Sequence, residues 1–184
     1  MNLRLTCGIP VALAIILALA YPACARGTND EDIRVVMFRV LLAPESESGE
    51  PRKKSMETLL GPKDAFKPRL LFLSVKDKNP SPVVLQRVRQ DRTVVRNGFT
   101  VKDVSHAVYD KTLPDRFEYC YRDKETDEIG VIYDVGPIKR LGRSRVRLRA
   151  GYHAGLLHGR SAVYTLALKR GRWVVVAVTD VIVS

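Results

Sequence analysis

The chain is short of the residues that usually carry chemistry. Three cysteines, three histidines and one tryptophan are spread over 184 residues. Cys7 and Cys24 lie in an apolar opening segment, which leaves Cys120 as the one thiol of the remainder. A single thiol makes no internal disulfide, so a disulfide-stapled scaffold is excluded and stability has to come from core packing. Cys120 stands between Tyr119 and Tyr121 in a strand-like stretch. Neither a helix start nor a neighbouring cation adjoins it in sequence, and a nucleophilic thiolate needs one of these. It reads as a buried, structural cysteine; a reactive one would need a partner such as His106 brought to it by the fold.

Other absences narrow the function further. His153 and His158 are separated by four residues with no Glu beside the first, so they lack the helical spacing of a zinc protease site. Turn or surface histidines are the expectation. Gly142-Arg-Ser144 and Gly159-Arg-Ser161 lack the glycine two residues beyond the serine that a nucleophile elbow needs. Gly151, Gly155 and Gly159 recur every four residues but lead to no Gly-Lys-Ser/Thr phosphate loop, and they fit a wide turn or bulge at one end of a sheet. Asp123, Glu125, Asp127 and Glu128 alternate much like a calcium loop. The place reserved there for glycine holds Glu128, and the closing glutamate place holds Asp134, so this run reads as a solvated hairpin tip. The sequence contains no internal repeat, heptad or low-complexity tract. Nothing calls for a cofactor or a metal, and the absence of any catalytic motif leans the reading away from an enzyme.

What the chain does have begins with its leader. Met1 to Cys7 carries Arg4 and no acid, Gly8 to Ala20 is apolar, and Ala23-Cys24-Ala25 supplies small residues. This predicts a signal peptide over 1–25 cleaved after Ala25, and therefore a secreted or periplasmic protein. A membrane-spanning helix needs about 20 apolar residues, and this run is shorter and contains Pro10. Tyr21-Pro-Ala-Cys24 also resembles a lipoprotein box with an aromatic residue in an aliphatic place, so a lipid anchor on Cys24 is the alternative. Lys and Arg number 31 against 20 Asp and Glu. Losing Arg4 with the leader lowers the net charge by one, from +11 to +10.

Residues 26–184 suit one domain: 46% of the chain is hydrophobic and 28% charged, ordinary values for a globular fold. Thr28-Asn-Asp-Glu31 is a capping box, and Ile33, Val36, Met37, Val40 and Leu41 follow at helical spacing, predicting an amphipathic helix that ends near Pro44. A flexible loop is expected near 44–55 and one helical turn over Met56 to Leu60. Arg69 to Val75 is a nearly continuous apolar strand, central in its sheet. Ser81 and Pro82 start a second helix that stops near Asp91. Thr93 to Val95 and Phe99 to Tyr109 look extended around an Asn97-Gly98 turn. Arg116 to Tyr121 and Gly130 to Val135 look like partners, and Arg145 to Tyr152, Ser161 to Leu168 and Trp173 to Val183 complete an antiparallel meander. The expected class is α+β: a curved antiparallel sheet packed against one or two short amphipathic helices.

The closing hairpin carries a resemblance. From Tyr164 to Thr179 an apolar strand, the basic Lys169-Arg-Gly-Arg172 turn, Trp173 and a valine-rich strand follow in order. This resembles the last hairpin of the nuclear-transport-factor-like, or cystatin-like, cone folds. Together with Leu71-Phe-Leu-Ser-Val75 and Gly151-Tyr-His-Ala-Gly155 it also resembles a group of uncharacterised secreted bacterial proteins. The resemblance implies a fold and carries no activity, because such folds host enzymes and binding modules alike.

Two functional readings follow. In the first, Arg145, Arg147 and Arg149 alternate with Val146, Leu148 and Ala150, which puts three guanidinium groups on one sheet face. Such a face attracts an acidic protein or an anionic envelope component. Base-stacking aromatics are missing among these arginines, so the face has no nucleic-acid signature. In the second, Tyr152, His153 and Tyr164 line the mouth of a small-ligand or enzymatic pocket near the 151–164 turn. Trp173 is expected in or beside the core. The sequence alone names no substrate, partner or oligomeric state.

Overall fold

Leu70-Leu-Phe-Leu-Ser-Val75 forms β1 (Leu70–Val75), and all six of its residues are buried. A strand buried on both faces cannot sit at the rim of a sheet, and β1 lies inside one. It is hydrogen-bonded on one side to β2 (Thr100–Asp103) and on the other to β5 (Ile129–Val135), parallel to both. The computed structural model describes residues 29–43, 69–111, 120–155 and 158–183. The expected leader over 1–25, the Cys24 alternative, the loop near 44–55, the turn at Met56 to Leu60 and residues 116–119 of one expected strand lie outside the described residues.

Among the described residues three short helices and nine strands form an α+β fold. The sheet runs in the order β2-β1-β5-β7-β8-β9. The expected C-terminal meander is present as β7 (Arg145–His153), β8 (Gly159–Lys169) and β9 (Arg172–Val183), antiparallel throughout. The β8–β9 turn has Arg170 at φ 50° and Gly171 at φ 74°. That left-handed pair matches the two-residue hairpin turn whose twist suits the flanking strands. β3 (Ala107–Tyr109) pairs with β4 (Tyr121–Asp123), which continues onto the start of β5. β6 (Lys139–Gly142) pairs with the first part of β7. Register shifts in the β6–β7 and β8–β9 ladders bend these strands.

The sheet is mixed rather than wholly antiparallel. Between β1 and β2 the chain crosses over through α2 (Pro82–Arg89) and α3 (Arg92–Asn97), which is a βαβ step. The nearly unbroken apolar run of β1 suits this, because parallel strands are covered on both faces. α2 starts as expected, with the Ser81 side chain accepting from the Val84 N–H and Pro82 in the first turn. α3 replaces the extended segment expected at Thr93 to Val95. Asp91 accepts from the Thr93 N–H at one end, and Gly98 closes the other at φ 65°. Two good caps outweigh the strand preference of Thr93, Val94 and Val95.

α1 (Asp30–Leu42) begins at an Asn29 cap. Its buried residues are Ile33, Val35, Met37, Phe38 and Leu42, while Val36 is only partly buried and Val40 is 36% exposed. The apolar face is thus wider than the expected stripe and turned toward Arg34. The reason is that α1 packs on two fronts, against β5, β7 and β9 and also against α2 and α3. Its acidic first turn ties it in place: Asp30 to Arg140 at 2.6 Å, Glu31 to the Ser81 hydroxyl at 2.6 Å and Asp32 to Arg87 at 2.7 Å. Arg39 in the last turn reaches Asp91 at 2.6 Å. One cluster of buried side chains joins α1, the other two helices and strands from β1 to Trp173 of β9.

One glycine shows how tightly β7 and β8 approach. A Cβ on Gly151 would lie 2.0 Å from the Arg160 carbonyl oxygen and 2.7 Å from the Ser161 Cα. Both atoms belong to the backbone of β8, so no flexible side chain can yield. Gly151→Ala is expected to lower stability by about 3 kcal/mol, at the upper end of overpacking costs, read as a drop in the urea midpoint at unchanged slope.

Candidate functional site

β7 places its side chains as the alternation requires. Val146, Leu148 and Ala150 point into the core, and Arg145, Arg147 and Arg149 are all exposed on the opposite face. Lys139 lies directly across from Arg147 on β6. At the far end Lys169 and Arg172 face each other across the β8–β9 hairpin, on the same side of the sheet as Arg145. All six cations are exposed. Among the described residues no carboxylate lies within ion-pair distance of Arg145, Arg147 or Arg149, and Arg149 makes one hydrogen bond, to the Ser161 hydroxyl at 3.3 Å. Four other arginines, Arg39, Arg87, Arg122 and Arg140, each contact an aspartate. What sets β7 apart is that three unpaired guanidinium groups alternate along one strand.

The other expected site does not converge in this way. Tyr152 and Tyr164 face the helix side, and Tyr164 is 7% exposed within the core cluster. His153 is exposed on the opposite face of the same strand, next in sequence to Tyr152. Tyr152 packs instead between Tyr133, 6.0 Å away, and His158, 6.3 Å away by ring centroids. His153 and His158 thus belong to different surroundings and form no shared ligand set. Cys120 is buried, with its N–H donating to the Ala154 carbonyl at 2.7 Å. Trp173 is 5% exposed in the core cluster.

A second polar cluster lies at the other end of the sheet, and the sequence reading passed over it. Asp123 closes β4 with its side chain fully buried. One of its oxygens, Oδ1, accepts from the N–H groups of Glu125 at 2.8 Å and Thr126 at 3.1 Å, the Asx arrangement that starts a tight turn. The other, Oδ2, lies 2.6 Å from Lys102 Nζ of β2, off the line of a hydrogen bond. Glu125 turns back from the exposed tip, with Oε2 at 3.2 Å from Lys102 Nζ and 3.6 Å from His106 Nδ1. His106 comes from a single 3-10 turn, Val104–His106, capped by Asp103, and its carbonyl accepts from the Lys124 N–H at 3.0 Å. The donor atoms of His106, Asp123 and Glu125 all lie within 4.8 Å of one another. The tip residues Lys124 to Glu128 are exposed as expected, but Asp123 is their buried anchor. The signal that could have shown this is an aspartate two and three residues before backbone donors at a hairpin turn.

Charge sets the titration of Asp123 and Lys102. Burial pushes the Asp123 carboxyl up, but the Lys102 ammonium and the N–H groups of Glu125 and Thr126 outweigh it and hold the value at about 2, below the ordinary 3.8. Asp123 in turn holds Lys102 above its ordinary value, against the opposing effect of burial. Arg122, beside Asp123, ties the neighbouring strands together through Asp110 at 2.9 Å.

No family model, curated protein or solved structure matches this chain. No helix among the described residues is long and apolar enough to cross a membrane.

A carboxyl held below its unfolded value stabilises the fold above that value, and the contribution fades as pH falls from 3.8 toward 2. Asp123→Asn should therefore flatten the acid limb of the stability profile between pH 4 and 2. At neutral pH it should cost about 2 kcal/mol, the scale of lost charge-assisted hydrogen bonds. Urea unfolding across that pH range checks both.

Proposed function

We propose that this protein is an exported, non-enzymatic domain that binds an acidic protein or an anionic envelope component through the outer face of β7. The observation that carries the reading is the alternation on β7: Arg145, Arg147 and Arg149 stand on one face of a single strand with no carboxylate near them among the described residues, whereas Arg39, Arg87, Arg122 and Arg140 each contact an aspartate. Unmatched like charges on one strand repel one another, and an anionic partner relieves that repulsion. Alternate residues on a strand stand about 7 Å apart, the same interval at which an extended acidic chain presents alternate side chains. The rigid pairing of β7 between β5, β6 and β8 fixes that spacing in advance, which lowers the ordering cost of binding. Export rests on the 1–25 leader, and intact mass of the exported protein distinguishes cleavage after Ala25 from a lipid-bearing Cys24.

The test separates the face from net charge. Binding to anionic vesicles or a polyglutamate matrix should weaken as salt rises, because exposed charges are screened beyond about 10 Å at 0.1 M. Replacing Arg145, Arg147 and Arg149 together with Ala should weaken binding about tenfold, since three exposed contacts of about 0.5 kcal/mol each amount to that factor. Replacing the ion-paired Arg39, Arg87 and Arg140 removes the same charge and should leave binding near the parent value. Equal losses in the two triple variants, or no loss in the first, would reject the reading.

A further inference from the structure

We propose that His106, Asp123 and Glu125 form a binding site for one divalent first-row transition ion, which takes the place of the Lys102 ammonium. The three donor atoms, His106 Nδ1, Asp123 Oδ2 and Glu125 Oε2, come from a 3-10 turn, the end of β4 and the following turn, and they lie within 4.8 Å of one another. One imidazole nitrogen and two carboxylate oxygens suit Mn, Fe, Co, Ni or Zn, whereas calcium and magnesium prefer oxygen alone.

Three further observations point to a ligand. Asp123 is 1% exposed, and its Oδ1 is engaged by two backbone N–H groups, so Oδ2 is aimed inward by a fixed carboxylate. His106 Nδ1 is buried and makes no hydrogen bond, and the nearest carboxylate, Glu125, is 3.6 Å away, beyond hydrogen-bond reach. Asp123 Oδ2 likewise has no hydrogen bond, only the ion pair to Lys102. His106 Nδ1 and Asp123 Oδ2 thus face one small region, with the Lys102 ammonium beside the second. The turn that carries His106 is held by its main chain: Ser105 N–H donates to Asn79 Oδ1 at 3.0 Å, and Lys124 N–H donates to the His106 carbonyl.

Lys102 is the competitor already in place. Its Nζ lies 2.6 Å from Asp123 and 3.2 Å from Glu125, where it neutralises the carboxylates without using the histidine nitrogen. A divalent ion supplies twice the charge to the same oxygens and also satisfies His106. The Lys102 side chain is 20% exposed, so it has a route to solvent when displaced. Binding then involves exchange of one cation for another.

The experiment is titration of the purified protein with Co²⁺, read by visible absorption and calorimetry, beside Lys102→Met, Glu125→Gln and His106→Ala. Circular dichroism and urea midpoints check that each variant is folded; Glu125 is 57% exposed, so its variant keeps the fold whatever happens at the buried positions. The expected result is one ion per chain, tightened at least tenfold by Lys102→Met and weakened at least tenfold by Glu125→Gln and by His106→Ala. The same order should hold with Zn²⁺ in competition with Co²⁺. Unchanged affinity in Glu125→Gln, or no gain in Lys102→Met, overturns the proposal. None of these readouts depends on the basic face of β7.

Discussion

The structure depends on burying both faces of β1. Six consecutive residues of that strand are out of solvent, including the hydroxyl of Ser74. A single layer of helices could cover only one side. Leu71, Leu73 and Val75 belong to the cluster with α1, α2 and α3. Leu70, Phe72 and Ser74 alternate to the other face, where Phe72 crosses over Gly130 so closely that a Cβ there would lie 2.5 Å from its ring. Fully burying a phenylalanine contributes about 1.5–3 kcal/mol, so a glycine at that register position is part of what keeps β1 in the interior. With both faces sealed, β1 takes parallel neighbours on both edges, and the rest of the sheet extends from β5.

How much of this was legible follows from the kind of signal each element sends. Elements set by local chemistry read well. The helix cap at Ser81, the alternation of Arg145 to Ala150 and the hairpin turn at Arg170-Gly171 all declare themselves within a few residues, and the α1 cap falls on Asn29, one residue after the Thr28 of the expected capping box. Elements set by distant partners read poorly. The continuity of β1 announced a central strand, but the direction of its neighbours depends on the crossover through α2 and α3. Thr93 to Val95 carry strand-favouring side chains, and only the pairing of Asp91 with Gly98 across them makes a helix. The face of α1 shifted because two helices flank it as well as the sheet, and periodicity alone counts one partner.

The candidate sites divide along the same line. The basic face needed only an alternating pattern and was visible as such. The His106, Asp123 and Glu125 cluster needed β2, a 3-10 turn and the β4 tip to meet, at separations in sequence that carry no motif. Its one local sign was the turn chemistry of Asp123, which looks like any other polar hairpin tip. Tyr152 and His153 show the converse: neighbours in sequence on a strand face opposite ways, so the sheet places the two on different faces.

Charge is distributed by the same architecture. The acids of the α1 first turn serve as ties, to Arg140, Ser81 and Arg87, and the acids of the β4 region are held by Lys102 and Arg122. The acidic groups of the described elements are therefore largely committed to holding helices and strands together. Part of the excess of base stands where the sheet needs no ties, on the outer side of β7 and the β8–β9 turn. The two regions should also answer differently to salt. Exposed guanidinium groups lose their reach as ions screen them, whereas the buried Asp123 pair keeps most of its interaction at the same ionic strength. A structural role and a binding role can in this way be carried by the same net charge without competing, because burial decides which part of it solvent can see.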